Sequence, residues 1–123
     1  MSCSSDLEQI RQALTAYYEA LYYGRPEKLA EAFRPDAVLL GDVEGAESRL
    51  DQAQYRSLLQ SRPAPHAQGA AYALQIGDIR LCGNAAMAEL QTPLAGRAFT
   101  DYVSLFKHQG QWRIAFKLYS HPQ

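Results

Sequence analysis

Several things are scarce in this 123-residue chain, and each shortage closes off a class of function. Cysteine occurs twice, as Cys3 and Cys82, too few and too far apart for a disulfide framework and without CxxC or Cys/His ligand spacing. Both read as free thiols, Cys82 as a small buried strand residue. The three histidines, His66, His108 and His121, fall in a loop, a turn and the C-terminal tail. No HxxxH or His/carboxylate spacing accompanies them, so no metal site is expected. A net charge of -1 leaves no basic excess to neutralise phosphates, which removes nucleic acid from the expected partners. Neither a run of about 18 apolar residues nor a basic segment leading into an apolar one is present. The expectation is therefore a chain that meets no membrane, carries no export signal and works in the cytoplasm. Phosphate-cradling glycine loops, GxSxG elbows and dinucleotide fingerprints are also missing, and no cofactor is expected.

Apolar material, by contrast, is sufficient. With 47% hydrophobic and 20% charged residues, the chain can bury one core, and its length suits a single domain over residues 1–123. Leu7, Ile10, Leu14, Tyr17 or Tyr18, and Leu21 recur at helical spacing and predict a helix over residues 6–23. Ser5 and Glu8 form a capping-box pattern at its start, and Gly24 suits the left-handed residue at its end. Pro26 fits the first position of a second helix ending near Phe33, with Leu29, Ala32 and Phe33 facing the core. A short strand over 37–40 should stop at Gly41 before an acidic loop carrying Asp42, Glu44 and Glu47. Asp51 and Gln54 then cap a third helix that buries Tyr55, Leu58 and Leu59.

From Ala71 the period becomes two. Tyr72, Leu74 and Ile76 alternate, Gly77 and Asp78 break the phase, and Ile79 and Leu81 resume it, which predicts a bulge. Gly83 and Asn84 form a hairpin turn into a strand over 86–92; residues 93–97 turn into a strand over 99–107, and residues 108–111 into a last strand over 112–119. A four-residue loop at 108–111 pairs Lys107 with Trp112, Leu105 with Ile114, Val103 with Phe116 and Asp101 with Leu118. One face is then apolar apart from Asp101. Tyr102, Ser104, Phe106, Arg113, Ala115 and Lys117 occupy the other, an outer surface suited to a second copy of the chain in a homodimer. Trp112 reads as a structural residue of the wall.

Helices first, then long antiparallel strands, is an α+β order. Together with IRQALTAYYEALYYGRPEKLAEAFRPDAVL at the front and FTDYVSLFKHQGQWRIAFKLY at the back, it resembles the nuclear transport factor 2-like (SnoaL-like) superfamily. The likeness is nearest to the putative lumazine-binding proteins, through Phe33, Pro35 to Ala37, Gly83 to Ala85 and Asp101 to Lys117. The resemblance implies a cone, ordered α-α-β-α-β-β-β-β, with a curved sheet wrapped around a pocket for a small-molecule ligand. Ketosteroid isomerases share that fold. By that likeness Tyr17, seven residues before Gly24, matches their oxyanion tyrosine, and Asp101, eleven before Trp112, their protonated aspartate. Their general base would fall at Gly41, with Asp42 one position on and turned to the other face.

Asp101 is the residue singled out by chemistry, because an acid among Phe99, Val103, Phe116 and Leu118 is disfavoured in its charged form and could donate a proton to a ligand oxygen. Tyr17 would supply a second donor. The candidate ligand-binding set is Tyr17, Asp101, Val103, Phe116 and Leu118, with Asp101 and Tyr17 the candidate catalytic pair. The leading expectation is a small-molecule binding protein. An isomerase, dehydratase or cyclase using the same two residues is the alternative, and a dimeric interaction module a third.

Overall fold

The computed structural model describes residues 3–94 and 96–122, with side chains from Ser5 onward. Cys3, read as a free thiol, has its side chain outside the described residues. Helix α1 (Cys3–Tyr23) is followed by a 3₁₀ turn (Pro26–Lys28), a single turn of helix α2 (Leu29–Ala32), strands β1 (Phe33–Val43) and β2 (Ala46–Asp51), helix α3 (Gln52–Gln60), and strands β3 (Gln75–Cys82), β4 (Ala85–Leu94), β5 (Arg97–His108) and β6 (Gln111–His121). The strands form one curved sheet in the order β2-β1-β6-β5-β4-β3. β1 runs parallel to β6 and every other pairing is antiparallel. The helices lie on one face, giving the α+β cone expected.

Local chemistry explains most of these elements. Gly24, at φ +68°, ends α1 in the left-handed region where a side chain would strain the backbone. Asp51 accepts from the Gln54 amide while the Gln54 side chain accepts from the Asp51 amide, so the predicted capping box opens α3. The bulge predicted at Gly77 and Asp78 is present between Ile76 and Ile79. A Cβ on Gly77 would stand 3.0 Å from the Glu89 carbonyl oxygen, so the close approach of β4 favours glycine there.

Other boundaries differ. α1 starts at Cys3, so Ser5 and Glu8 lie within the helix rather than at its cap. The expected second helix shrinks to seven residues in two pieces, because Phe33 already belongs to a strand. β1 runs through Gly41 to Val43, and the expected acidic loop is a hairpin into a sixth strand, β2. Glu44 (φ 54°) and Gly45 (φ 89°) form its two-residue turn, whose left-handed backbone matches the twist of the flanking strands. Cys82, read as buried, is exposed on the edge strand β3.

The largest departure lies in the final hairpin. Lys107 pairs with Trp112 and Leu105 with Ile114 as read, but a register shift follows, and the next pairs are Ser104 with Phe116, Val103 with Lys117, and Asp101 with Tyr119. Ala115 is the extra residue. Its bulge reverses the facing of everything beyond it, since side chains alternate along a strand. Phe116 and Leu118 therefore face outward, 37% and 44% exposed, while Lys117 turns inward at 4%. The expectations that Phe116 and Leu118 line the pocket and that Lys117 faces out are both overturned.

The core lies between the helices and the inner sheet face, with Ile10, Leu14, Tyr17, Phe33, Leu39, Val103 and Ile114 essentially inaccessible. Trp112 belongs to this core. Its indole Nε1 donates to Asp6 Oδ1 at 3.0 Å, and the Lys107 ammonium reaches the same oxygen at 3.0 Å. These donors, the indole foremost, hold the Asp6 carboxyl below its ordinary range. Trp112 thus ties β6 to the first turn of α1. Trp112→Ala should destabilise the fold by about 3–5 kcal/mol in a denaturant titration, as for other large core truncations. A loss under about 1 kcal/mol would show that the ring contributes little to the wall.

Candidate functional site

The inner face of the sheet carries one polar cluster. Asp101 on β5 has no accessible surface, and its Oδ2 accepts from the Tyr17 hydroxyl at 2.6 Å and from the Thr92 hydroxyl at 3.0 Å. α1 brings Tyr17 down onto the sheet, and β4 places Thr92 beside Asp101. The Lys117 ammonium stands 3.9 Å from the same oxygen and 3.4 Å from the Tyr55 hydroxyl of α3. Two hydroxyl donors and a cation around one oxygen are the surroundings of a carboxylate. Oδ1, equally buried, has no hydrogen-bond partner among the described residues.

Lys117 sits in an aromatic enclosure. Its ammonium lies 4.6 Å from the ring centre of Tyr17, 5.0 Å from that of Tyr55 and 4.7 Å from that of Tyr119. Ring faces attract a cation more strongly once water is removed, on the order of 2 kcal/mol each at a desolvated site. Burial alone would push the Lys117 pKa down, but the Asp101 charge and the Tyr55 oxygen outweigh it, and the net direction is up. Lys117 therefore stays charged, and a Schiff-base role, which needs a free amine, has no support. Desolvation first, and then the Asp101 charge, pushes the Tyr17 phenol well above its ordinary value. Its proton stays on oxygen, donated to Asp101.

A cavity of about 380 Å³ opens in front of this cluster. Asp101, Lys117, Thr92 and Tyr55 form its floor; Phe99, Tyr119, Leu58, Leu94 and Val43 form its walls. Arg62, just beyond α3, and Arg97, at the start of β5, stand exposed at its rim. The volume suits a compact small molecule. Among the described residues, no group of three or more His, Cys, Asp or Glu is placed to hold a metal ion.

Of the sequence-derived candidates, the structure brings Tyr17 and Asp101 together but not in the geometry expected. Tyr17 is not among the residues lining the cavity; its hydroxyl is committed to Asp101 Oδ2, which accepts a second hydrogen bond from Thr92. Val103 is buried in the core and does not line the cavity. Phe116 and Leu118 are outside it. Lys117, Tyr55, Thr92, Tyr119, Arg62 and Arg97 were missed, the first and fourth because of the Ala115 bulge. The bulk of Tyr119 carried a signal nonetheless. A Cβ on Gly41 would fall 2.6 Å from its ring and 2.2 Å from its carbonyl oxygen, so the tyrosine occupies the space where the isomerase likeness would put a general base. Asp42 instead accepts from Ser120 Oγ at 2.7 Å, beside the outer-face depression.

The Lys117–Asp101 pair predicts a definite mutational pattern. Lys117→Met leaves a buried, uncompensated carboxylate and should destabilise by about 3–5 kcal/mol. Lys117→Met with Asp101→Leu should recover much of that loss in the same denaturant assay, because neither charge is then stranded. A loss in the double variant equal to the sum of the losses of Lys117→Met and Asp101→Leu measured singly would mean that the two side chains do not act as a pair.

Residues 5–120 match the family described as putative lumazine-binding. Among solved structures, the chain is similar to an NTF2-like protein of unknown function from Shewanella baltica OS155, at 24% identity and a TM-score of 0.86, covering 100% of this chain and 99% of that one. It is also similar to one from Silicibacter pomeroyi DSS-3, at 22% identity and TM-score 0.82 with 97% and 98% covered, and to one from Methylobacillus flagellatus KT, at 24% and 0.82 with 100% and 96% covered. At such identities these structures speak for the fold. No functionally curated protein matches the sequence. With a cone of six strands shared with these NTF2-like structures and a family match along nearly its whole length, the chain belongs to the putative lumazine-binding family.

Proposed function

We propose that the protein binds a compact, partly aromatic small molecule in the cavity between α3 and strands β4, β5 and β6. The observation that carries this reading is a cavity of roughly 380 Å³ lined by Asp101, whose buried Oδ1 has no hydrogen-bond partner among the described residues. A buried acceptor left without a donor costs about 1–3 kcal/mol, a deficit that a ligand N–H or O–H would remove. Phe99 and Tyr119, with ring centres 6.1 Å apart, supply an aromatic wall. The isomerase, dehydratase or cyclase alternative is less well supported. The Tyr17 hydroxyl is already donated to Asp101 rather than left for a ligand oxygen, and Tyr119 fills the place a base would need.

The test is binding of naphthol, a neutral aromatic probe, followed by ligand-detected NMR. Wild type should bind it, and Leu58→Trp, which fills the cavity from its wall, should lose binding while remaining folded. No binding by wild type, or equal binding by the variant, would reject the cavity as the site.

A second copy of the chain on the outer sheet face is proposed on a separate observation. Met87, Tyr102, Phe106, Phe116 and Leu118 are each between 37% and 53% exposed on that face. They lie on the adjacent strands β4, β5 and β6, where Tyr102 pairs with Leu118 and Ser104 with both Met87 and Phe116. Large contiguous apolar patches of this kind favour association, most simply as a two-fold dimer. Light scattering at micromolar concentration should return a dimer, and Phe116→Glu with Leu118→Lys should return a monomer. A wild-type mass of about 14 kDa would exclude the dimer at that concentration.

A further inference from the structure

The polar groups of the cavity are not scattered; they divide by depth. At the floor, Lys117 and Asp101 neutralise each other, and Asp101 Oδ1 is left as a buried acceptor. At the rim stand Arg62 and Arg97, neither of which forms a salt bridge among the described residues. The lining therefore holds three basic side chains against one acid, although the chain as a whole carries a net charge of -1. The excess positive charge is local to the cavity mouth. Between the two levels the walls are aromatic and aliphatic apart from Ser48.

We infer that the ligand is a two-ended molecule, with an oxyanion held by Arg62 and Arg97 at the rim, an apolar or aromatic middle, and an N–H or O–H donor directed to Asp101 Oδ1 at the floor. This rests on the cavity being the binding site. Each end answers one feature of the structure. Guanidinium forks match planar oxyanions, and two of them around one mouth attract an anion before it docks. The floor selects in the opposite sense. A ligand presenting only acceptors there would face a carboxylate oxygen with nothing to give it, whereas a donor satisfies a group that otherwise stays unpaired. Discrimination by an unpaired buried polar group is steep, so the floor decides which end enters first.

Three matched probes separate the two ends: para-hydroxycinnamate carries both, para-methoxycinnamate lacks the donor, and para-hydroxycinnamamide lacks the anion. Titrated by fluorescence against the full chain, para-hydroxycinnamate should bind at least tenfold more tightly than either of the others, and more tightly still at low ionic strength. Arg62→Gln and Arg97→Gln change only exposed side chains. Each should weaken para-hydroxycinnamate roughly tenfold while leaving the amide unaffected. Equal affinity for all three probes, or for wild type and both arginine variants, would overturn the two-ended ligand while leaving the cavity as a binding site. Failure of all three where naphthol still binds would do the same. Failure of all four would reject the cavity reading itself.

Discussion

A single buried ion pair organises the interior of this cone. Asp101 and Lys117 come from neighbouring strands, and neither would be stable in the core alone, since a lone buried charge costs several kcal/mol. Satisfying them recruits the rest of the polar interior. Tyr17 descends from α1 to donate to Asp101, Thr92 does so from β4, and Tyr55 reaches Lys117 from α3. Helices α1 and α3, which lie against the sheet rather than in it, are thereby fixed relative to β5 and β6. The Tyr17 ring meets Lys117 on one side and Phe33 edge-on at 5.5 Å on another, so the polar cluster and the apolar core share a wall. Geometry at the cavity floor is thus a property of the whole fold.

How legible this was from sequence depends on the element. α1, α3 with its cap, the Gly77 bulge and the Gly83–Asn84 turn were readable because each is decided by neighbours within a few positions. Gly24, Asp51 with Gln54, and Gly83 with Asn84 announce themselves locally. β2 was not readable, since AESRLD is mostly polar and its pairing with β1 needs the Glu44–Gly45 turn, an unremarkable dipeptide until its backbone is seen. The parallel pairing of β1 with β6 is likewise set by tertiary packing. β1 also carries extra residues between Phe33 and Val38, Pro35 among them, where pairing with β6 is interrupted.

The misread hairpin is more instructive. Turn geometry was nearly right, and the pairs nearest the turn were right. Continued alternation beyond those pairs places Phe116 and Leu118 inside and Lys117 outside, which is the cheaper arrangement for hydrophobic burial taken alone. Nothing in IAFKLY marks Ala115 as a bulge. What overrides the simple pattern is the partner set: a tyrosine-rich α1, Tyr55 and an aspartate at position 101 make an environment in which an ammonium is better accommodated than a phenyl ring. Asp101 is buried as its apolar strand-mates imply, but the alternation puts Lys117, the cation beside it, on the far side of the sheet.

The same bulge links the two faces of the protein. By turning Lys117 and Tyr119 inward it builds the cavity floor and fills the space beside Gly41; by turning Phe116 and Leu118 outward it lays two apolar side chains beside Tyr102 and Phe106. A strand without the bulge would have reversed both, giving a greasy pocket with an isolated acid and an outer face bearing a lysine. Inner polarity and outer hydrophobicity are therefore one structural choice rather than two. A substitution at Ala115 that altered the bulge would act on the cavity and on the outer surface together, although Ala115 is not among the residues lining the cavity.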